Sequence, residues 1–135
     1  MLDARDRADV VDCLRSHLPG LRFAFVFGSA ASGTISPDSD VDIAVDTGEE
    51  IDVDVLSTVA GRLESILDRP ADLVDLQSAG PILAMQVLRK GESIVEDDAP
   101  ALRDFEMYTP KRYEDWKIHS RPYRERLREF LDDDQ

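Results

Sequence analysis

Two aspartates, Asp40 and Asp42, stand two residues apart in the stretch Asp40-Val41-Asp42-Ile43-Ala44-Val45. In an extended chain this spacing puts both carboxylates on one face, about 6–7 Å apart, and turns Val41, Ile43 and Val45 to the other. Aspartate is disfavoured within strands, so the pair needs an explanation. Either it marks the solvated outer face of a sheet, or it is a site for a hard cation such as Mg2+, which prefers a few carboxylates together with phosphate oxygens. Separated from Asp40 by ten residues, the chain reads Gly28-Ser29, at the end of an apolar run. Glycine lets the backbone approach a phosphate closely, and a serine hydroxyl with exposed turn N–H groups can hold phosphate oxygens. Each signal alone is weak. Asp-x-Asp recurs at Asp38, Asp52 and Asp132, and Gly-Ser is an ordinary turn. Together they are rarer: Gly-Ser-x10-Asp-x-Asp is expected in roughly one random chain of this composition in a hundred. The combination reads as a phosphate clamp facing a metal-bearing strand.

The elements that must position these residues follow from the hydrophobic pattern. Leu2, Val10, Val11, Leu14 and Leu18 recur at helical spacing, and Pro19-Gly20 stops that run. Cys13 reads as a small buried hydrophobe beside this stripe, and His17 as a cation suited to the helix C-terminus. Residues 21–27 are aromatic and β-branched and predict a strand ending at Gly28-Ser29. Residues 30–39 predict a turn with one short helical piece, and 40–45 a second strand. Residues 52–68 give the strongest amphipathic helix, closed by Arg69-Pro70. A third strand is expected over 71–77, a helix from Pro81 to Lys90 closed by Gly91, and a short edge strand over 92–96, blunted by its charges. Residues 100–131 predict helix, with breaks or kinks at Thr109-Pro110 and Arg121-Pro122. The order gives an α/β domain: a small mixed sheet of about four strands with flanking helices and a helical C-terminal tail. Asp38 and Asp46 read as turn residues, Asp52 and Asp54 as helix N-terminal charges.

Composition narrows the function classes. A chain of 135 residues fits one domain and buries about 68% of its unfolded surface. With 42% hydrophobic and 33% charged residues it reads as globular and not as disordered. No apolar run approaches the roughly 20 residues of a membrane span, and Met1 to Asp12 lacks the layout of a signal peptide, so no membrane association and a cytoplasmic location are expected. A single Cys13 excludes an internal disulfide and a cysteine-based zinc site, and two histidines make a His-rich metal site unlikely on composition. The net charge of −13 argues against a broad nucleic-acid-binding surface, so no direct nucleic-acid binding is expected. It leaves room for a nucleotide held through a metal and for a basic protein partner.

The stretch GSAASGTISPDSDVDIAV, carrying Gly28-Ser29-x10-Asp40-x-Asp42, resembles the nucleotidyltransferase superfamily that includes DNA polymerase β. More closely it resembles the minimal nucleotidyltransferase (MNT) group, whose members are about this short. The likeness runs from about residue 21 to 96, and the helical tail is less characteristic. It implies the polymerase β-like nucleotidyltransferase fold for residues 1–99, with 100–135 as a helical extension for partner docking. It also implies a third carboxylate from a later strand. Asp72 and Asp75 are the candidates, on opposite faces by alternation. The family pattern favours Asp72, leaving Asp75 as a surface residue or a strand-end contact.

The resemblance further implies two-metal phosphoryl chemistry. Asp40 and Asp42 would hold two Mg2+ ions, Asp72 would join the one nearer the nucleophile, and Gly28 and Ser29 would grip the β/γ phosphates of ATP. Stand-alone MNT proteins of this size resemble the antitoxins of HEPN/MNT pairs. There the MNT protein binds a HEPN ribonuclease toxin and transfers AMP to one of its tyrosines. That is the function expected here. A non-catalytic antitoxin acting by stoichiometric binding is the alternative, and an aminoglycoside-type nucleotidyltransferase a weaker third. The tail suits docking: Tyr108, Tyr113, Trp116, Tyr123 and Phe130 sit among Arg and Lys. These aromatics could equally pack the tail onto the sheet.

Overall fold

The computed structural model describes residues 2–28 and 40–133. The Ala30–Ser39 turn, with Asp38, lies outside them. The chain runs α1 (Ala4–His17), β1 (Phe23–Phe27), β2 (Val41–Asp46), α2 (Val53–Leu67), β3 (Ala71–Asp75), α3 (Pro81–Lys90), β4 (Glu92–Glu96) and α4 (Ala99–Asp133).

The strands form one sheet in the order β3-β2-β1-β4. β1 is antiparallel to both neighbours, and β2 is parallel to β3, so the sheet is mixed as the sequence predicts. The parallel pair requires a crossover, which α2 supplies. β4 is an edge strand with Glu92 and Glu96 at its ends.

β1 shows why the sheet is covered on both faces. Its alternation sends Ala24 and Val26 one way and Phe23, Phe25 and Phe27 the other. On the first face Ala24 and Val26 meet Val41, Ile43 and Val45 of β2, and α1 and α2 cover them with Val10, Leu14, Val59 and Leu63. On the second face Phe23 and Phe25 join Ala44 and Leu76, covered by Val87 of α3 and by Ala101 and Leu102 of α4. Phe105 of α4 lies 5.3 Å from Phe23 and 5.8 Å from Phe25 between ring centroids. Burying one such phenylalanine side chain contributes about 2–3 kcal/mol.

Helix ends follow local chemistry. Asp3 caps α1 by accepting the Asp6 N–H at 2.7 Å, and Asp52 caps α2 by accepting that of Asp54 at 2.8 Å. Pro81 opens α3, where its missing N–H costs nothing. Arg7 to Glu92 and Arg15 to Asp97 tie α1 to β4 and the turn after it.

α4 corrects one expectation. Of the breaks or kinks that the sequence predicts at Pro110 and Pro122, a break is ruled out: one 35-residue helix runs through both. A proline removes a single helical hydrogen bond and presses on the carbonyl one turn back. Neighbouring bonds carry the helix onward. Arg124 donates Nη2 to the Lys117 carbonyl at 2.7 Å, in the turn before Pro122.

Candidate active site

The carboxylates are brought together by strand register. Asp42 pairs with Phe27 across the antiparallel β1–β2 ladder and with Asp72 across the parallel β2–β3 ladder. Partners on neighbouring strands project to the same face, about 4.8 Å apart at the backbone. Asp42 and Asp72 therefore stand side by side at one end of the sheet, on the face of Phe25 and Ala44. Asp42 is half-buried, while Asp72 and Asp40 are exposed. Asp40 immediately precedes β2, at the mouth of the pair. The aspartate face of β2 is no solvated outer surface, since Ala44 and Asp46 on that face are buried.

Gly28 follows β1 directly and reaches the same spot. Its φ is +71°, a left-handed conformation that favours glycine. A Cβ built there would lie 2.5 Å from Asp42 Oδ2. The backbone at Gly28 thus lies against the Asp42 carboxylate, and any side chain would fill the space beside it. Ser29 lies outside the described residues.

Electrostatics mark Asp42 within this group. Burial pushes its carboxyl above the usual aspartate range, and the negative charges of Asp72 and then Asp40 add to the rise. No cationic side chain appears among the causes. A half-buried carboxylate raised by two others is a group that a hard cation would relieve, and carboxylate oxygens are the donors Mg2+ takes. The donor chemistry fits such an ion. The positions are open, however: among the described residues no three His, Cys, Asp or Glu side chains converge into a ready-made ligand cluster.

Asp75 is placed differently. It is buried at the end of β3, where Oδ2 accepts the Ile51 N–H at 2.8 Å and the Ser78 hydroxyl at 3.1 Å, and Oδ1 accepts the Gln77 N–H at 3.0 Å. It is a strand-end contact and not a surface residue.

Asp46 departs from its reading as a turn residue. It ends β2, is 4% exposed, and accepts from Arg22 Nε, the Gly48 N–H and Gln77 Nε2 at 2.8–2.9 Å. The sequence signal was present in the cross-strand register, which places Arg22 one residue beyond the Phe23–Asp46 pair. It could be read only once the strands were paired. Cys13 is buried as expected, and that burial pushes its thiol pKa up, against a smaller lowering by Arg62.

Comparison with known proteins identifies the family. The family described as Polymerase beta, Nucleotidyltransferase matches residues 9–100. The protein adenylyltransferase MntA of Shewanella oneidensis is 35% identical over 103 residues, covering 73% of this chain and 74% of that protein. Among solved structures, a toxin–antitoxin with AMP-PNP superposes with a TM-score of 0.85 at 29% identity, covering 90% of this chain and 97% of the other. A tri-AMPylated HEPN toxin from Shewanella oneidensis in complex with MNT antitoxin gives a TM-score of 0.80 at 26% identity, covering 91% and 96%. With more than half of its length matched by the family, and an adenylyltransferase relative above 30% identity, this chain belongs to the polymerase β nucleotidyltransferase family.

Proposed function

We propose that this chain is an antitoxin that transfers AMP from ATP to a tyrosine hydroxyl of a cognate HEPN-family ribonuclease toxin and thereby neutralises it. The observation that carries the reading is the Asp42–Asp72 register pair with Gly28 against Asp42, in a chain similar to an adenylyltransferase over three quarters of its length. Residues 1–99 form the transferase domain and 100–135 the docking extension in this reading.

Asp40, Asp42 and Asp72 would hold two Mg2+ ions. Such ions supply charge neutralisation and alignment for an in-line displacement. The chain's own residues then do the positioning. Gly28 leaves room for the triphosphate beside Asp42, and Ser29 offers it a hydroxyl. Asp72, exposed on the neighbouring strand, would join the ion nearer the acceptor hydroxyl. The tyrosine oxygen forms a bond to the α-phosphorus, the bond from that phosphorus to the bridging oxygen breaks, and pyrophosphate leaves. The phenolic proton passes to solvent. ATP as donor places the reaction in the cytoplasm. Among the described residues no helix is long and apolar enough to cross a membrane.

The test is incubation with ATP, Mg2+ and a HEPN-family toxin that this chain binds, followed by intact-mass measurement. A mass gain of one or more AMP units on the toxin, lost in Asp42→Asn, is expected. Neutralisation with no covalent gain would overturn the reading in favour of stoichiometric binding.

A further inference from the structure

α4 contributes to the core only through its first turns. Leu102 and Thr109 are buried, and the Phe105 ring packs, tilted, against Phe23 and Phe25. The same side of the helix continues past the sheet as Tyr113, Trp116, Ser120, Tyr123, Leu127 and Phe130. The intervals are three, four, three, four and three residues, the seam spacing of a helix that packs lengthwise on another helix. Tyr113 and Trp116 stack 6.0 Å apart and are half-buried. Beyond them the seam is open: Tyr123 is 63%, Leu127 45% and Phe130 63% exposed.

The residues bordering the seam decide what can cover it. On one side they are Arg112, His119 and Arg126, on the other Lys117 and Arg124, and no acidic residue stands among them. Arg124 lies over the Trp116 ring at 5.1 Å, so the basic border touches the seam itself. Glu114, Asp115, Glu125 and Glu129 fall on the far side of the helix, with Pro122 and with Arg121 and Arg128, so the acidic residues are confined to that mixed side. Two copies of this helix laid together would bring basic border against basic border in either orientation, and like charges across a seam repel. A helix with acidic borders would meet complementary charge along the whole length. Nucleic acid fits less well, because the stripe between the basic rows is largely apolar and the chain as a whole carries a net charge of −13.

We propose that residues 113–130 of α4 dock an amphipathic helix of the partner protein, one whose apolar seam is bordered by Asp and Glu. The docked helix extends the packing that Leu102, Phe105 and Thr109 begin on the body. The inference rests on the reading that this chain has a protein partner, and not on the transfer chemistry.

Trp116 is the only tryptophan and reports directly on the seam. The full chain is titrated with a 21-residue synthetic helix carrying leucine along its seam and glutamate at both borders, and with the same seam bordered by lysine. A saturable blue shift of Trp116 emission with the glutamate peptide, and binding of the lysine peptide weaker by roughly tenfold or more, is expected. The triple variant Lys117→Glu, Arg124→Glu, Arg126→Glu should invert that preference, with circular dichroism confirming its helix. Leu127→Gln, which leaves the charges in place, should abolish the shift. Equal response to both peptides, no response to either, tighter binding of a 21-nucleotide single-stranded RNA, or self-association of the chain at micromolar concentration would each overturn the proposal. None of these readouts involves AMP transfer, so failure here leaves the transferase reading standing.

Discussion

Asp42 and Asp72 are direct partners across the parallel β2–β3 ladder, and the charge of Asp72 is the larger of the two carboxylate contributions that raise Asp42. The fold therefore holds a half-buried charge against its neighbours, a conflict that a functional site sustains and a purely structural one would lose.

The first prediction follows from the sign of that shift. A carboxyl raised in the folded state binds more protons than in the unfolded chain, so its contribution to stability is present at low pH and is lost as pH rises through the interval up to the raised value. At neutral pH, Asp42→Asn should raise the melting temperature by a few degrees, on the order of 1 kcal/mol for relief at a functional site, while abolishing transfer. The variant should also lose the decline in stability that the wild type shows on leaving the acid range. Mg2+ should raise the melting temperature of the wild type more than that of the variant, and chelation should stop transfer. Thermal melts across pH, with and without Mg2+, check the three stability outcomes, and a transfer assay on the variant and on the chelated wild type checks the other two.

Two glycines should respond in opposite directions. Gly28→Ala places a methyl 2.5 Å from Asp42 Oδ2 at a φ of +71°. It should cost about 1–3 kcal/mol and remove most transfer activity by displacing that carboxylate. Gly61 lies exposed within α2 with nothing within 4 Å of a new Cβ. Gly61→Ala should stabilise by about 1 kcal/mol, from helix propensity, with transfer unchanged. Chemical denaturation beside a transfer assay separates the two.

Asp72 and Asp75 should divide activity from stability. Asp72 is exposed beside Asp42, so Asp72→Asn should lose transfer with little change in folding. Asp75 is buried and accepts three hydrogen bonds. Asp75→Asn turns an amide toward the Ile51 N–H or the Gln77 N–H and should cost about 1–3 kcal/mol. Wild-type stability in Asp75→Asn, or full transfer in Asp72→Asn, would reverse their assignment.

Arg22 should matter to folding alone. Its Nε lies 2.8 Å from Asp46 Oδ1, whose side chain is 6% exposed. Arg22→Met leaves that carboxylate buried with the Gly48 and Gln77 donors only, and should cost about 2–4 kcal/mol. The substitution lies at the end of β1 opposite Gly28, so transfer per folded molecule should be unaffected, as activity normalised to the folded fraction would show.

Sequence alone determined the order of elements, because each is written locally. The alternation of Val41, Ile43 and Val45 gave a strand, the Val59–Leu63 stripe a helix, and Pro19, Pro70 and Gly91 their ends. It also singled out Gly28, Ser29, Asp40 and Asp42, whose spacing lies within one turn and one strand. Three matters were decided only by tertiary structure. Asp72 joins Asp42, and Asp75 does not, because a parallel register aligns residues 30 apart, which no local pattern encodes. Asp46 is a buried ion-pair partner because antiparallel pairing of β1 and β2 brings Arg22 beside it. Pro110 and Pro122 sit within one helix, its first turns packed on Phe23 and Phe25, because each ring removes one helical hydrogen bond while the neighbouring ones remain. Local propensity fixes what a segment is, and long-range pairing fixes which side chains meet, since only the folded chain brings distant residues within reach of one another's charge.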